Sequence, residues 1–203
     1  MGCDIHMIRQ RQTGTGAWEM CDPMVPNPYY GKWEGAPKEV PERLYDWRNY
    51  ELFAALAGVR NGWGIVPVSP PKGLPEGIDT DNGPDLGDHS YSWLTTDELL
   101  AYDWNQPIEQ HGVVAWSERA RWVDARTNGP GAYCGGVSGY GVEIVAPEEL
   151  DRRIAANDTH DRLYGRFAWT ESLREAIGEK WFEALDSLKE MPGKVRIVFG
   201  FDS

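Results

Sequence analysis

Basic residues are scarce in this sequence. It has 20 lysines and arginines against 32 aspartates and glutamates, which gives a formal net charge of −12 at pH 7. No dense run of basic residues offsets this charge, so a nucleic-acid backbone would be repelled. The composition argues against direct DNA or RNA binding. It leaves open that the acidic surface imitates nucleic acid and occupies a basic groove on another protein.

Cysteine is sparse as well. Cys3, Cys21 and Cys134 are odd in number, widely spaced and form no Cys-x-x-Cys pair. The sequence therefore predicts neither a disulfide scaffold nor a structural zinc site. This usage fits a reducing compartment, and we expect a cytoplasmic protein.

Long apolar runs are also missing. The run Phe53–Ala57 falls well short of the roughly 18 residues that a membrane span requires, and the N-terminus lacks a basic-then-apolar signal pattern. We therefore expect no membrane association. With 203 residues, 41% of them hydrophobic, the chain is long enough to fill one core and too short to need two. The prediction is one compact domain over residues 1–203.

Aromatic residues, in contrast, are abundant. The chain has ten tryptophans and nine tyrosines, whose rings either stack on a planar ligand or fill a core. Tyr29, Tyr30 and Trp33 lie in residues 22–45, where the density of proline and glycine argues against regular structure. We expect these three rings to cover a pocket.

The first ten residues predict a β-strand with two different faces. Alternation places Asp4 and His6 side by side on one face, while Cys3, Ile5 and Met7 form the other. An acid and an imidazole need partners if they are buried, so a plain core does not explain the pair. We predict that Asp4 and His6 form the floor of a functional pocket.

Hydrophobic periodicity predicts the remaining elements. The predicted helices cover residues 46–57 with Asp46 as N-cap and Gly58 as the stop, 97–102 behind a Thr95–Glu98 capping box, 147–156 with Pro147 in the first turn, and 170–189 with Thr170 as cap. The predicted strands cover residues 1–10, 17–21, 89–94, 142–145, 163–169 and 194–201. Strands and helices in this order indicate an α+β fold, in which a mainly antiparallel sheet has its helices packed mostly on one face.

An Asp-x-His pair on a strand is one way to hold a divalent metal ion. The two side chains project together and can share the ion, as in many metal-dependent hydrolases. His89 and Asp88 are the candidates that would complete a site with Asp4 and His6, and His111 or Asp202 is in reserve. The competing interpretation is that His6 is satisfied by a neighbouring carboxylate or carbonyl and binds no metal. The cofactor is therefore open, with a divalent metal as one possibility.

Further polar residues that ordinary folding does not explain come from distant parts of the chain. The predicted ligand-binding set consists of Asp4, His6, Arg48, Asn49, His89, Ser90, Ser92, Tyr133, Ser138 and Arg196. Arginine, serine and the N–H groups of a helix N-terminus favour a small phosphate-bearing ligand. Glycines around Ser138 allow close approach of the backbone to such a group. The alternative is that these residues are scattered over the surface and share no pocket.

Several segments together resemble a family of uncharacterised proteins that is common in bacteriophage and prophage genomes. The resemblance spans nearly the whole chain and is carried by Met1-Gly-Cys-Asp-Ile-His6, by residues 48–60, by His89-Ser-Tyr-Ser-Trp-Leu-Thr95, by Tyr133-Cys-Gly-Gly-Val-Ser138 and by Arg196-Ile-Val-Phe-Gly-Phe-Asp202. It implies an accessory protein acting in the host cytoplasm. Small phage accessory proteins often resemble antagonists of host defence that sequester or degrade nucleotide immune signals.

Three functional hypotheses follow, and an oligomer is compatible with each. The first is a binding module that sequesters a small nucleotide-derived ligand, with tryptophans stacking on its base. The second is an enzyme, a phosphodiesterase-like hydrolase in which Asp4, His6 and His89 hold a metal or do acid–base work. The third is an acidic protein that imitates nucleic acid and inhibits a host protein.

Overall fold

A computed structural model describes residues 2–80 and 83–202, and the fold is α+β with mainly antiparallel strands, as predicted. Its elements are, in chain order, β1 Asp4–Gln12, β2 Trp18–Met20, β3 Met24–Pro26, β4 Glu39–Pro41, α1 Tyr50–Ala57, β5 His89–Thr95, α2 Thr96–Ala101, β6 Pro107–Ala115, α3 Trp116–Ala125, β7 Glu143–Val145, α4 Pro147–Ala155, β8 Leu163–Ser172, α5 Leu173–Ile177, α6 Glu179–Glu190 and β9 Val195–Asp202.

The chain divides into two compact units. Unit 1 comprises residues 1–103 and 177–203, and unit 2 comprises residues 104–176. Each unit has its own sheet and is described separately. The single domain expected from length and composition stays a prediction.

Unit 1 is built on a four-stranded antiparallel sheet in the order β2-β1-β9-β5. The predicted alternation of the N-terminal strand is confirmed, because Cys3, Ile5 and Met7 are buried while Asp4 and His6 are partly exposed. On this buried face Ile5 and Met7 lie opposite Phe201 and Phe199 of β9. Phe201 in turn contacts Phe53 of α1, with ring centroids 5.1 Å apart. Burial of each such side chain contributes about 1.5–3 kcal/mol. The first strand is thereby fixed against the centre of the sheet.

Residues 22–45 contain more regular structure than predicted. β3 and β4 pair antiparallel with Val25 opposite Val40. Pro26 and Pro41 are the last residues of their strands, where a missing N–H is tolerated. The predicted irregular loop is therefore a short hairpin with a long tip.

Helix α1 begins three residues later than predicted. Asn49, and not Asp46, is the N-cap, because its side-chain oxygen accepts a hydrogen bond from Leu52 N–H at 2.7 Å. Gly58 ends the helix with φ at 70°, as predicted. The Thr95–Glu98 capping box of α2 is confirmed too.

The predicted helix over residues 170–189 is two helices. β8 continues through Thr170, so the cap is Ser172, whose hydroxyl accepts from Glu175 N–H at 3.2 Å. Gly178, with φ at 79°, then separates α5 from α6. The predicted buried stripe is nevertheless correct, since all of its members are buried: Leu173, Ile177, Trp181, Leu185 and Leu188.

Unit 2 contains a three-stranded sheet in the order β6-β8-β7, with α3 and α4 packed on it. β7 lies parallel to β8, whereas the other paired strands in the described part of the chain are antiparallel. The core of unit 2 is a cluster of Val114, Leu150, Leu163, Phe167 and Trp169. The glycine-rich residues 135–141 form no helix or strand. Across both units, no described helix has the length and apolar character that a bilayer span requires.

Candidate functional site

Asp4 and His6 lie in a polar network at the paired ends of β1 and β9. Asp4 is directly opposite Asp202 in the sheet. Asp202 accepts a hydrogen bond from Asp4 N–H at 3.0 Å, and its second oxygen lies 3.1 Å from His6 Nε2. The predicted pair is thus joined by a carboxylate from the C-terminal strand. Of the interpretations drawn from the sequence, this geometry matches the one in which a carboxylate satisfies His6.

Arg48 completes this network from the segment before α1. Its Nε and Nη2 atoms donate to the two oxygens of Asp4, each at 2.8 Å. Gly2 makes the approach possible, because a Cβ at that position would collide with the guanidinium. The Arg48 side chain is therefore committed to Asp4.

The network lowers the pKa of both of its carboxyl groups, those of Asp4 and Asp202. The hydrogen bonds from Arg48 hold the pKa of Asp4 below its ordinary value. The hydrogen bond with His6, followed by the one from Asp4 N–H, does the same for the pKa of Asp202. Both carboxylates are therefore ionised at neutral pH, as groups that accept several hydrogen bonds are.

His6 also faces a large cleft in unit 1, which we call the β1 cleft. Its volume is about 840 Å³. It is lined by the β1 residues Ile5, His6, Met7 and Ile8, by Met20, Asp22, Val25, Asn27, Pro28 and Tyr29, by Val40, Pro41, Glu42, Arg43, Tyr45 and Asp46, and by Gly83, Pro84 and Asp85. Asp85 connects the cleft to the network, since its carboxylate lies 3.3 Å from His6 Nδ1.

One edge of β1 is unpaired where the strand borders this cleft. β2 pairs only with Gln10–Gln12. In an antiparallel sheet, alternate residues direct both main-chain groups to the same neighbour. Phe201, which is opposite Ile5, turns its carbonyl away from β1 and accepts from Asp88 N–H at 2.7 Å. The main-chain groups of Ile5 and Met7 therefore point away from β9, toward the cleft.

Arg9 marks the end of this open edge. It has the same orientation, but both of its main-chain groups are occupied, the N–H by Asp22 at 3.1 and 3.2 Å and the carbonyl by Cys21 N–H at 3.0 Å. Within residues 2–80 and 83–202, no such partner meets the outward main-chain groups of Ile5 and Met7. We call Ile5–Met7 the open edge.

The walls of the β1 cleft combine apolar side chains with an excess of carboxylates. Asp22 is nearly fully buried and is neutralised by Arg9, with 2.7 Å between the charged atoms. Asp46 and Asp85 are exposed on the cleft wall, and Arg43 is the basic residue among the lining side chains. Burial raises the pKa of Tyr45 on the same wall to about 12. The cleft therefore favours a cationic or neutral ligand group over a dense anion.

His89 does not join Asp4 and His6. Between the pairs His89–Phe201 and Ser92–Phe199, two residues of β5 oppose one of β9, which is a β-bulge. Ser90 has φ at 54° there. The bulge reverses the alternation, so His89 shares the face of Phe201 and stacks on its ring with centroids 6.0 Å apart. Sequence alternation had placed His89 on the face of Tyr91 and Trp93.

The other predicted ligand residues of unit 1 have partners within the fold. Ser90 lies 2.9 Å from His89 Nδ1, and the buried Ser92 accepts from Lys72 N–H at 3.0 Å. Asn49 caps α1 and donates its side-chain amide to Ile177 at 3.3 Å. These contacts position β5 and α1, and none of the three residues lines the β1 cleft.

Arg196 has a structural position as well. It is buried, and its Nε and Nη2 atoms donate to Gln10 Oε1 at 2.9 and 2.8 Å. Its guanidinium lies between two indoles, 4.2 Å from the ring centroid of Trp18 and 5.0 Å from that of Trp93. Burial lowers its pKa. Arg196 therefore joins β2, β1, β9 and β5 and is not turned toward the cleft.

Tyr133 and Ser138 belong to unit 2. Tyr133 packs edge-on against Trp169 with ring centroids 4.7 Å apart, and its neighbour Cys134 forms an isolated bridge to Val113 of β6. Ser138 is exposed in the glycine-rich loop. The predicted set is thus distributed over both units, and Asp4, His6 and Arg48 are the members that meet in one hydrogen-bonded network.

Over the described ranges 2–80 and 83–202, no three His, Cys, Asp or Glu side chains are arranged so that they could hold a metal ion. Asp4, His6 and His89 do not fit a shared ion, because Asp4 is bound by Arg48 and His89 lies on the opposite face of the sheet.

Sequence reasoning missed Asp85 and the cleft walls of β3 and β4. The signal for Asp202 was present, because a strand that pairs antiparallel with β1 brings its last acid opposite Asp4. Asp85 lies in a loop whose path no periodicity predicts. Comparison with protein-family models, curated proteins and solved structures gave no match.

Proposed function

We propose that this chain is a binding protein that holds its ligand in the β1 cleft. The observation that carries the proposal is the cleft of about 840 Å³ beside an open strand edge. Apolar walls from Val25, Val40 and Tyr29 surround a few polar groups, among them His6. Concave sites of this composition are the usual places where proteins bind small ligands.

The resemblance to phage and prophage proteins supplies the setting and the first ligand to test. In this proposal the protein is an accessory factor that sequesters a nucleotide-derived immune signal in the host cytoplasm. Tyr29 is half exposed and stacks on Trp33 with ring centroids 4.8 Å apart, so a base would extend this aromatic stack, and Arg43 is the cation that a phosphate would meet. Asp46 and Asp85 would repel phosphates inside the cleft, so the phosphates would face solvent.

One observation favours a second candidate, an acid–base hydrolase of the phosphodiesterase type. His6 lies between Asp202 and Asp85, with one carboxylate on each ring nitrogen. A carboxylate that orients an imidazole is a common arrangement in acid–base catalysis. His6 would then exchange the proton, and Asp202 would position the ring.

A retention experiment tests both candidates. The purified protein is incubated with cyclic mononucleotides and dinucleotides, separated from free ligand, and heated to release what it holds. We expect intact nucleotide after heating, less of it from Tyr29→Ala and His6→Ala, and an unchanged amount from the control Asp186→Lys on the exposed face of α6. Hydrolysis products that His6→Ala abolishes would establish the enzyme instead. If no nucleotide is retained or consumed, the nucleotide part of the proposal is wrong.

A further inference from the structure

We infer that the open edge of β1 receives an extended segment of a protein partner as an additional antiparallel strand. The inference rests on the proposed binding role of the β1 cleft and names the class of partner. An extended peptide supplies what this edge lacks, a row of main-chain donors and acceptors that alternates in the same way.

The hydrogen-bonding capacity of the open edge is defined by two residues. Ile5 and Met7 each present one N–H and one carbonyl, which gives four bonds to a peptide strand. Asp22 and Cys21 occupy the equivalent groups of Arg9, so the added strand ends there. Proteins usually protect such edges with charge, proline or a covering segment. This edge instead borders the β1 cleft, whose volume is about 840 Å³.

The pairing geometry predicts the side-chain pattern of the partner. Residues directly opposite one another in an antiparallel pair project to the same face. Partner residues opposite Ile5 and Met7 therefore face the apolar side. The residue between them lies opposite His6, on the face of Asp85. The expected motif is apolar, basic, apolar.

Charge favours a basic central residue. Asp85 has a side chain that is 76% exposed, although it contacts His6, and Asp46 is exposed on another wall of the cleft. The whole chain carries a net charge of −12, which attracts a cationic segment from a distance. Complementary charge of this kind fixes the register of the added strand and speeds its association.

The probe is a seven-residue peptide of alternating valine and lysine, carrying a fluorophore and measured by anisotropy with the full-length chain. In the paired register the valine N–H groups point toward β1 and the lysine N–H groups point away. N-methylation of the valines should weaken binding by at least about tenfold, because it removes the donors. N-methylation of the lysines should leave binding within about twofold of the parent peptide.

Variants of the protein test the same register. Asp85→Lys and Asp46→Lys should each weaken binding several-fold, more at low salt than at high salt, whereas Asp186→Lys should not. Met7→Pro would remove one N–H donor from the open edge, but it would also remove the core packing of the Met7 side chain. The variants of the exposed carboxylates are therefore the better test. Circular dichroism confirms that each variant is folded.

Three outcomes would overturn the inference. If the two N-methylated peptides bind equally, strand pairing is excluded. If nucleotides bind in the cleft and no peptide does, the proposed function stands and a peptide partner is excluded. If sedimentation shows a concentration-dependent dimer that the peptide does not dissociate, the open edge pairs with a second copy of the chain and not with another protein.

Discussion

Asp4 and Asp202, at the paired ends of β1 and β9, make stability depend on pH. Their pKa values in the folded protein lie below the ordinary 3.8, so the unfolded chain takes up protons first as the pH falls. The stabilising contribution is complete above pH 3.8 and is lost as the pH falls through the folded values.

We expect Asp202→Asn to remove part of this dependence. The free energy of unfolding at neutral pH should fall by less than about 1 kcal/mol, because the side chain is partly exposed and solvent screens it. The loss of stability below pH 3.8 should become shallower. Urea unfolding at neutral and at acidic pH measures both effects, with Asp186→Asn as the control. A steeper acid profile in Asp202→Asn would contradict the assignment.

The ion pair between Arg9 and Asp22 is the residue-scale contact with the largest expected effect. Both side chains are buried, with exposures of 6% and 2%. Asp22→Ala leaves the guanidinium with only the partly exposed Glu42, so we expect a loss of about 3 kcal/mol in chemical denaturation. Glu42→Ala should cost about 1 kcal/mol or less. Equal losses would show that burial does not distinguish the two acids.

At this scale the sequence predicted Asp4 and His6 because two polar residues on one strand face are visible as a pattern. Arg48 and Asp202 were candidates as well, but the pattern did not show that they pair with Asp4 and His6, because that pairing depends on tertiary packing. Arg196 was predicted as a ligand residue too. Its charge suggested a ligand, but two indoles and Gln10 satisfy it, and no sequence period indicates which tryptophans will lie beside it.

Among the elements, the boundary between β8 and α5 gives a direct test of capping. Ser172 exchanges hydrogen bonds with Glu175, at 2.9 Å from its N–H to the carboxylate and 3.2 Å from Glu175 N–H to its hydroxyl. Ser172→Ala should destabilise the protein by about 1 kcal/mol, whereas Thr170→Ala on the strand should leave the helix end intact. Thermal unfolding of the two variants distinguishes them. A larger loss in Thr170→Ala would restore the cap predicted from sequence.

Gly178 separates α5 from α6 by a backbone conformation that other residues avoid. It has φ at 79° and ψ at 166°, although a Cβ there would meet no atom within 4 Å. Gly178→Ala should therefore cost about 1–3 kcal/mol from backbone strain alone. Gly14→Ala, which is equally open but not at positive φ, is the control. If both variants unfold alike, strain does not explain the break.

The elements were predictable where one physical signal dominates. The alternation of β1, the capping box of α2 and the glycine stop of α1 depend on neighbouring residues, and each is confirmed. The bulge at Ser90 was not predictable, because the extra residue is defined only against β9. The break at Gly178 was hidden by a hydrophobic stripe that continues across it.

For the whole molecule, net charge separates direct nucleic-acid binding from imitation of nucleic acid. A charge of −12 should prevent measurable binding to duplex DNA at physiological salt. Anisotropy with a labelled duplex checks this expectation, with a basic DNA-binding protein as positive control. Binding that weakens steeply with salt would contradict it. The same salt dependence toward a host protein would instead favour imitation of nucleic acid.

The thiol next to the first strand has a use in the study of local unfolding. Cys3 is 1% exposed, and burial raises its pKa, so a thiol reagent reaches it only when the chain end lifts from the sheet. In Cys134→Ser, which removes an exposed thiol, slow labelling at Cys3 would measure the free energy of that opening, with Cys21 followed separately by mass spectrometry. A peptide strand bound beside Ile5 should slow the labelling of Cys3, so the labelling rate reports how much of the protein has its open edge occupied.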